Sequence, residues 1–411
     1  MTVLMVIGSL AVIIFVHEFG HFLVAKLSGL PVERFSIGFP PHLVRLRLGK
    51  TEYCLGAIPL GGYVKVDLGV SGEARSGTPW PLRLMTAVAG SAANFVFAAM
   101  LLFVVLTFVG QDISRYPNVV GPVSNMLGLA VGDTIVAVNG RPVSDFAEVS
   151  FAMQDSLSGT LTVGTGSGRR EVAWALREEA LPGFQPFLKP VVGECLVGMP
   201  AYEAGIRQGD SIVAVDGAPV LSWVDLLQSV RADNSRLEIA FTRQGMPDTA
   251  WVTPILVDGV PRIGVLARTL TERVSYPAGR AFLFSVSAVA GGVVDFYGSL
   301  LSAFRRPREF VDLSGGPVYM AEALGQQAEF GLSRLLEAVA AISIAIMCFN
   351  LLPVPLLDGG QALFILIEGI RGRPLSGKGL QVAQQAGLLV ILLLFALIMW
   401  KDLSRLFLRA R

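Results

Sequence analysis

Three residues near the N-terminus, His17, Glu18 and His21, have the types and spacing of a metal-dependent hydrolase. Two histidines four residues apart project from the same face of a helix, so both imidazoles can bind one metal ion. Zinc suits imidazole nitrogen, and a neighbouring glutamate can take a proton from water that the metal has activated. The pattern therefore predicts a Zn²⁺ site with Glu18 as the general base.

The motif lies inside an apolar segment, Val3 to Leu27, that is long enough to cross a bilayer. Ionisable side chains inside a membrane helix are costly and usually functional. The segment has no basic residues ahead of its apolar stretch, which favours a retained helix over a cleaved signal peptide. Motif and location together predict hydrolysis of peptide bonds within the membrane.

A catalytic zinc needs three protein ligands and one open position, so a third ligand must come from elsewhere. The best candidate is Asp358, in the segment NLLPVPLLDGG that runs from Asn350 to Gly360. Its two prolines break a helix, and irregular backbone at membrane depth is tolerated only inside protein or beside water. A metal pocket that contains water meets this condition. Taken alone, Asp358 would be read as a helix cap at the membrane surface.

Composition points to a membrane protein with a polar insert. The 411 residues are 53% hydrophobic and 16% charged, with a mean hydropathy of +0.60. The net charge of +1 gives no indication of nucleic-acid binding. We predict a polytopic α-helical membrane protein with about four transmembrane helices, at Val3–Leu27, Leu84–Val109, Leu335–Leu352 and Ala386–Trp400.

The stretch Ala281 to Phe304 is also apolar, but Gly291, Gly292 and Asp295 interrupt it. We interpret it as an interfacial or partly buried helix, with a further membrane crossing as the alternative.

The polar insert between the second and third spans contains an internal repeat. The sequence GLAVGDTIVAVNGRPV begins at Gly128, and GIRQGDSIVAVDGAPV begins 77 residues later at Gly205. In each copy a Gly-Asp turn precedes an alternating strand and a second turn, which predicts two consecutive β-rich domains. The pattern resembles PDZ domains, which bind extended peptides by strand addition. A spacer role without peptide binding is the alternative.

The predicted organisation divides the chain into five parts. Residues 1–111 contain the first two helices, the motif of His17, Glu18 and His21 (HExxH), and a membrane-associated hairpin. Residues 112–188 and 189–275 are the two PDZ domains. Residues 276–334 are an amphipathic or interfacial segment, and residues 335–411 contain the last two helices with the third zinc ligand.

Charge in the loops predicts orientation. Basic residues outnumber acidic ones in the loop 27–83, whereas acidic residues outnumber basic ones in the insert 112–275. By the positive-inside rule the insert is translocated, although the basic tail ending at Arg411 argues against this. From these charges we expect a multi-pass membrane protein whose insert lies on the outer side of the membrane.

Together these features resemble the site-2 protease family of intramembrane zinc metalloproteases, in particular the regulator-of-sigma-E protease type with tandem PDZ domains. The resemblance covers nearly the whole chain. It implies that His17, His21 and Asp358 bind zinc, that Glu18 is the general base, and that the active site lies toward the cytoplasmic side. It also implies a multi-pass protein of the bacterial inner membrane with periplasmic PDZ domains.

Other segments resemble the family less closely. The segment AIPLGGYVK resembles a membrane-associated hairpin whose Gly61 and Gly62 would let a strand edge meet substrate; a tight turn explains them equally well. The segment GSAAN ends at Asn94 and has Ser91 where the family pattern has proline. Gln361 stands where close relatives often have histidine. That position is not a family metal ligand, so catalysis should survive.

Asn350 is predicted to hydrogen-bond the substrate backbone or the developing oxyanion, with a helix-terminating role as the alternative. Asn94 is a further candidate for substrate binding.

The expected substrates are single-span membrane proteins already trimmed on the outer side, such as an anti-sigma factor or signal-peptide remnants, held in the lipid bilayer. The competing hypothesis is a catalytically silent membrane scaffold whose PDZ pair gathers partners. The complete set of His17, Glu18, His21 and Asp358 disfavours it.

Overall fold

The computed structural model describes residues 2–66, 68, 78–122, 129–154, 158–165, 168–175, 185–232, 235–257, 259–305, 316–373, 375 and 377–409. The chain divides into two compact units. The first combines Met1–Gln111 with Ser275–Arg411, and the second is Asp112–Val274. Gly128, where the first copy of the predicted repeat begins, lies outside the described residues.

The described residues of the first unit form helices and one β-hairpin. Its elements are α1 (Thr2–Leu27), β1 (Val32–Leu48), β2 (Thr51–Val66), α2 (Trp80–Val104, continued by a π-helical turn Val105–Val109), α6 (Ala278–Arg305), α7 (Pro317–Glu329), α8 (Leu332–Asn350), α9 (Asp358–Arg371) and α10 (Gly377–Arg409).

Among the described residues, four helices are long and apolar enough to cross a membrane: Met5–Leu27, Trp80–Val109, Ala278–Ser302 and Leu332–Asn350. The first, second and fourth of these match predicted spans. The last predicted span, 386–400, lies within α10, a helix of 33 residues. A helix of that length extends about 50 Å, more than the thickness of a hydrocarbon core.

The helix α6 differs from expectation in one respect. Gly291 and Gly292 do not interrupt it, because a single helix runs through both residues to Arg305. A Cβ atom at Gly292 would lie 3.3 Å from the Cδ1 atom of Ile344 in α8, so this glycine permits close helix packing. Whether α6 crosses the membrane or lies at its surface stays a prediction.

Small residues bring α1 and α2 into close contact. A Cβ atom at Gly20 would lie 2.5 Å from the carbonyl oxygen of Ala89 and 2.7 Å from the Cβ of Ala93. Without a hydrophobic driving force in lipid, helices associate through such close backbone approach. The approach matters here because Gly20 is adjacent to His21, so it sets how near the histidine face of α1 comes to α2.

The β-hairpin packs on the C-terminal half of α1. The rings of Phe22 and Phe35 have their centroids 4.9 Å apart, and Tyr53 lies 5.9 Å from Phe22. Ala25, Leu30 and Val32 form a buried cluster beneath them. These apolar contacts hold β2 beside the helix that carries the HExxH motif.

The second unit is rich in β-structure. Its elements are β3 (Gln111–Arg115), β4 (Thr134–Val138), β5 (Arg141–Pro142), α3 (Phe146–Gln154), β6 (Ser158–Thr165), β7 (Gly168–Ala175), β8 (Val192–Cys195), α4 (Pro200–Glu203), β9 (Ser211–Val215), β10 (Ala218–Pro219), α5 (Trp223–Ala232), β11 (Leu237–Arg243), β12 (Met246–Val252), β13 (Ile255–Val257), β14 (Val260–Arg262), β15 (Val265–Ala267) and β16 (Leu270–Val274).

The two copies of the sequence repeat form sheets of the same topology. The first four-stranded sheet has the order β5-β4-β6-β7 and the second has the order β10-β9-β11-β12. In each, a short helix, α3 or α5, follows the hairpin of the first two strands. Each copy buries its own apolar cluster, the first around Ile135 and Leu161 and the second around Ile212 and Ile239.

The matched turns have matched hydrogen bonds. Asn139 and Asp216 both have positive φ, each is followed by a glycine, and each side chain accepts a backbone N–H from the next strand. The aspartate of each Gly-Asp turn is paired with an arginine, Asp133 with Arg170 and Asp210 with Arg243. Repeated turn chemistry therefore fixes both sheets, and the finer division of the unit into two PDZ domains stays a prediction.

Candidate metal centre

The histidines of α1 present their Nε2 atoms to a common point. The helix places His17 and His21 one turn apart, and their Nε2 atoms lie 3.3 Å from each other. The side chains are 8% and 14% exposed, so both rings are largely shielded from solvent. The helical periodicity of the motif thus yields a pair of converging nitrogen ligands.

Asp358 reaches the same point from the other end of the chain. Its Oδ2 atom lies 3.1 Å from Nε2 of His17 and 3.2 Å from Nε2 of His21. Asp358 is the first residue of α9 and follows a non-helical connection after α8. The next two residues must be glycines because α9 begins in close contact with the backbone of the preceding connection. A Cβ atom at Gly359 would overlap the carbonyl oxygen of Leu351, and one at Gly360 would overlap that of Val354.

The three ligand atoms fit a tetrahedral zinc ion. Ligands at about 2.0–2.1 Å from zinc in tetrahedral geometry are about 3.3 Å from one another. The observed separations are 3.1, 3.2 and 3.3 Å. Three lone-pair-bearing atoms held this close repel each other unless a cation or proton lies among them. The residues present therefore suit a resident divalent metal.

A backbone carbonyl of α2 orients the ring of His21 through the ring nitrogen that does not face Asp358. Its Nδ1 atom lies 2.8 Å from the backbone carbonyl oxygen of Thr86. A carbonyl can only accept, so Nδ1 carries the hydrogen, and in the neutral imidazole Nε2 keeps its lone pair. Such an outer contact fixes the tautomer of a metal-binding histidine. No local pattern predicts this contact, since any residue supplies a backbone carbonyl.

Gly90 of α2 leaves the space in which the ligand atoms meet. A Cβ atom there would lie 2.8 Å from Nε2 of His17 and still closer to Nε2 of His21. A side chain of any size would therefore collide with both imidazoles. Gly90 is the first residue of the segment GSAAN, in which Asn94 was a predicted site residue and Gly90 was not.

Glu18 lies beside the ligand cluster under the β-hairpin. The backbone N–H of Val64 in β2 donates a hydrogen bond to its carboxylate. A Cβ atom at Gly62 would lie 3.3 Å from Cγ of Glu18, so this glycine permits the strand to approach. The carboxylate is therefore adjacent to the candidate metal ligands, and a separate element, β2, holds it there.

The four predicted substrate-binding residues have different surroundings. Gly62 lies next to Glu18, whereas a Cβ at Gly61 would overlap the ring of Phe39, so Gly61 makes room for that ring. The Nδ2 atom of Asn350 is 3.4 Å from Nε2 of His17. The Nδ2 atom of Asn94 is 3.4 Å from Nδ1 of His17, on the far side of that ring. Substrate contact by any of the four stays a prediction.

An ion pair that no sequence pattern predicted joins the helices that flank the centre. Arg83 of α2 donates to Glu368 of α9 at 3.1 Å, and their side chains are only 10% and 9% exposed. Arg83 also donates to the carbonyl of Leu68 at 2.9 Å, and Glu368 accepts the backbone N–H of Leu375 at 3.0 Å. The pair fixes α9, which begins with Asp358, against α2.

Comparison with known proteins gives matches across the chain. A family model described as Peptidase family M50 matches residues 5–394. A protein of Neisseria meningitidis serogroup A named "Putative zinc metalloprotease NMA0084" is 31% identical over 448 residues, covering 98% of this chain and 99% of that protein. The "Regulator of sigma-E protease RseP" of Escherichia coli K12 is 31% identical over 443 residues, covering 97% and 98%.

Among solved structures, a PDZ domain of an SdrC-like protein from Listeria monocytogenes was matched at 20% identity. The match covers 20% of this chain and 90% of the Listeria monocytogenes chain. Its TM-score of 0.18 is too low to support a conclusion about the fold.

Proposed function

Because this chain belongs to peptidase family M50, the site-2 proteases, we propose that it cleaves transmembrane segments of single-span membrane proteins at a zinc centre formed by His17, His21 and Asp358. The chain is a metalloprotease. The observation that carries the residue assignment is the convergence of the three ligand atoms at separations of 3.1 to 3.3 Å. Such spacing suits one tetrahedral ion with a fourth position open.

The chemistry divides between the metal and the protein. A zinc ion held by these side chains would supply Lewis acidity to a peptide carbonyl and make water easier to deprotonate. Glu18 takes up that proton at its carboxylate and returns it to the departing amine, as a general base and then a general acid. The N–H of Val64 keeps the carboxylate oriented for this transfer.

The remaining groups act on the substrate backbone. The amide of Asn350, 3.4 Å from the ligand atom of His17, is placed to donate a hydrogen bond to the carbonyl under attack. The edge of β2 near Gly62 is placed to receive an unwound stretch of substrate as an added strand. A helix hides its peptide bonds in internal hydrogen bonds, so local extension must precede cleavage.

We assign the second unit an access-limiting role. Its two sheets of equal topology are interpreted as PDZ domains that lie in the periplasm and admit only proteins already trimmed on that side. The active site then lies toward the cytoplasmic side of the bacterial inner membrane. The Escherichia coli relative is named a regulator of sigma-E protease. We propose an anti-sigma factor as one substrate of this chain, with signal-peptide remnants as another class.

The test compares two site variants with the parent protein. Glu18→Gln should abolish cleavage of a single-span substrate in detergent or lipid nanodiscs while zinc content is unchanged, because the ligands remain. Asp358→Ala should lose zinc and activity together. Glu171→Gln, on an exposed strand position of the second unit, is the matched control and should retain both.

Two outcomes would contradict the proposal. Zinc binding and activity in Asp358→Ala would refute the third-ligand assignment. Absence of zinc in the parent protein purified without chelator would favour the silent scaffold instead.

A further inference from the structure

His17 and His21 each turn a second ring nitrogen toward α2, and the two nitrogens meet different groups. Nδ1 of His21 lies 2.8 Å from the carbonyl of Thr86. Nδ1 of His17 lies 3.4 Å from the side-chain amide of Asn94, also in α2. One helix therefore contacts both imidazoles from behind, once with backbone and once with a side chain.

A histidine that binds metal through Nε2 carries its hydrogen on Nδ1, and that hydrogen needs an acceptor. Thr86 supplies one to His21. At His17 the facing atom is Nδ2 of Asn94, which is itself a donor, so two N–H groups would point at each other. The oxygen and nitrogen of a carboxamide are nearly isosteric, and a half-turn about χ2 exchanges them.

The unpaired atom of the same side chain supports that half-turn. In the present orientation Oδ1 of Asn94 is buried and has no hydrogen-bond partner among the described residues. A buried acceptor without a partner costs free energy. We propose that Oδ1 of Asn94 accepts the Nδ1–H of His17, which makes Asn94 a positioning residue that selects the zinc-binding tautomer of His17. This inference rests on the proposed metal site.

The burial of Asn94 favours this role over direct contact with substrate. The residue is 0% exposed. The hydroxyl of Ser343 in α8 donates to its backbone carbonyl at 3.1 Å, so a third helix holds this point of α2 in place. A group that contacts substrate must be reachable from the open side of the centre, whereas an outer-shell acceptor must be fixed and shielded.

Two substitutions of Asn94 distinguish its role as a hydrogen-bond acceptor from the space that its side chain fills. Asn94→Leu keeps similar volume but removes the acceptor, and zinc affinity should fall about 10-fold to 100-fold, the usual effect of losing an outer-shell partner. Asn94→Asp keeps an acceptor and removes the donor, so its zinc affinity should stay within about threefold of the parent or rise, as in carboxylate–histidine–zinc arrangements. If Asn94 acted as a donor to His17, both variants would lose affinity alike.

The matched control lies one turn away on the same helix. The hydroxyl of Ser91 is buried and, among the described residues, has no partner. Ser91→Ala therefore removes a buried polar group from α2 without removing a hydrogen bond to either histidine. Its zinc affinity should equal that of the parent protein.

The readout is zinc retained by the full-length protein in detergent during competition with a graded chelator, beside its thermal unfolding midpoint. Affinity in Asn94→Leu equal to the parent, or an equal loss in Asn94→Asp, overturns the inference. If Asn94→Leu does not fold, the Asp variant alone decides, because its loss of zinc would contradict the acceptor role. His17→Ala distinguishes failure of the proposed metal site from failure of the positioning role of Asn94. Unchanged zinc affinity in His17→Ala would refute the metal site itself.

Discussion

The strictest test of the centre is the substitution Gly90→Ala. A Cβ atom at this position would lie 2.6 Å from Cδ2 of His21 and 2.8 Å from Nε2 of His17. Non-bonded carbon contacts are most favourable at about 3.5–4.0 Å, so each ring must retreat by about 1 Å. Metal–ligand distances tolerate only about 0.2 Å, so the ligand set cannot survive that retreat intact. We expect zinc affinity to fall by more than about 100-fold, beyond the effect of losing an outer-shell partner.

The same substitution should leave the protein folded. Alanine in place of a helical glycine gains about 0.5–1 kcal/mol, and an extra methyl group in a packed site costs about 1–3 kcal/mol. The free energy of unfolding should therefore fall by no more than about 2.5 kcal/mol, which a thermal scan in detergent can verify. Loss of zinc with retained folding would locate the effect at the ligands.

Gly8→Ala is the control for Gly90→Ala. Gly8 is in α1, the helix of both histidines, and a Cβ atom there has nothing within 4 Å. This variant should keep its zinc, measured as bound metal after dialysis against a chelator. A Gly90→Ala protein that retains parental zinc would show that the ligand atoms do not meet beside Gly90.

Three further outcomes follow from contacts outside the ligand set. Arg83→Met should lower the free energy of unfolding by about 3–5 kcal/mol because it leaves Glu368 buried without its cation, and adding Glu368→Met should recover part of the loss in a thermal-unfolding double-mutant cycle. The N–H of Ala130 and then Arg170 lower the pKa of Asp133, so its stabilising effect is complete above its unfolded pKa of about 3.9 and is lost as pH falls through the lower folded pKa. Asp133→Asn should therefore flatten the acid side of the stability profile, measured by circular dichroism between pH 2 and about pH 5. Burial raises the pKa of Cys195 to about 12, so a maleimide at neutral pH should label this thiol only after denaturation, as mass spectrometry of peptides would show.

Local sequence patterns predicted the parts of the centre that a single helix or turn determines. His17 and His21 share a face because four residues nearly complete a helical turn, and that periodicity needs no tertiary information. The Gly-Asp turns at Asp133 and Asp210 were likewise predictable, because the repeat places the same turn chemistry before each strand.

The long-range parts were accessible only in outline. Asp358 stood out by its residue type, its depth and its glycines, and the structure brings it to His21 across 337 residues of sequence. Its assignment as a ligand stays a prediction, as does that of the histidines. The pairing of Arg83 with Glu368 across 285 residues left no local signal, since charged residues are read as exposed by default.

The helix α2 explains why ligand types alone do not determine this centre. It contributes none of the three ligand atoms, yet Arg83, Thr86, Gly90 and Asn94 follow one another at spacings of three to four residues and so lie on one face. Along that face they fix α9, orient His21, leave space for the ligand atoms and contact His17. The ligands lie on different helices, which could otherwise slide past each other. Keeping the ligand positions fixed within tenths of an ångström therefore requires contacts from residues outside the ligand set. Substitutions on this face should therefore alter metal binding more than substitutions at the exposed apolar positions of α1, although the latter lie closer to the motif in sequence.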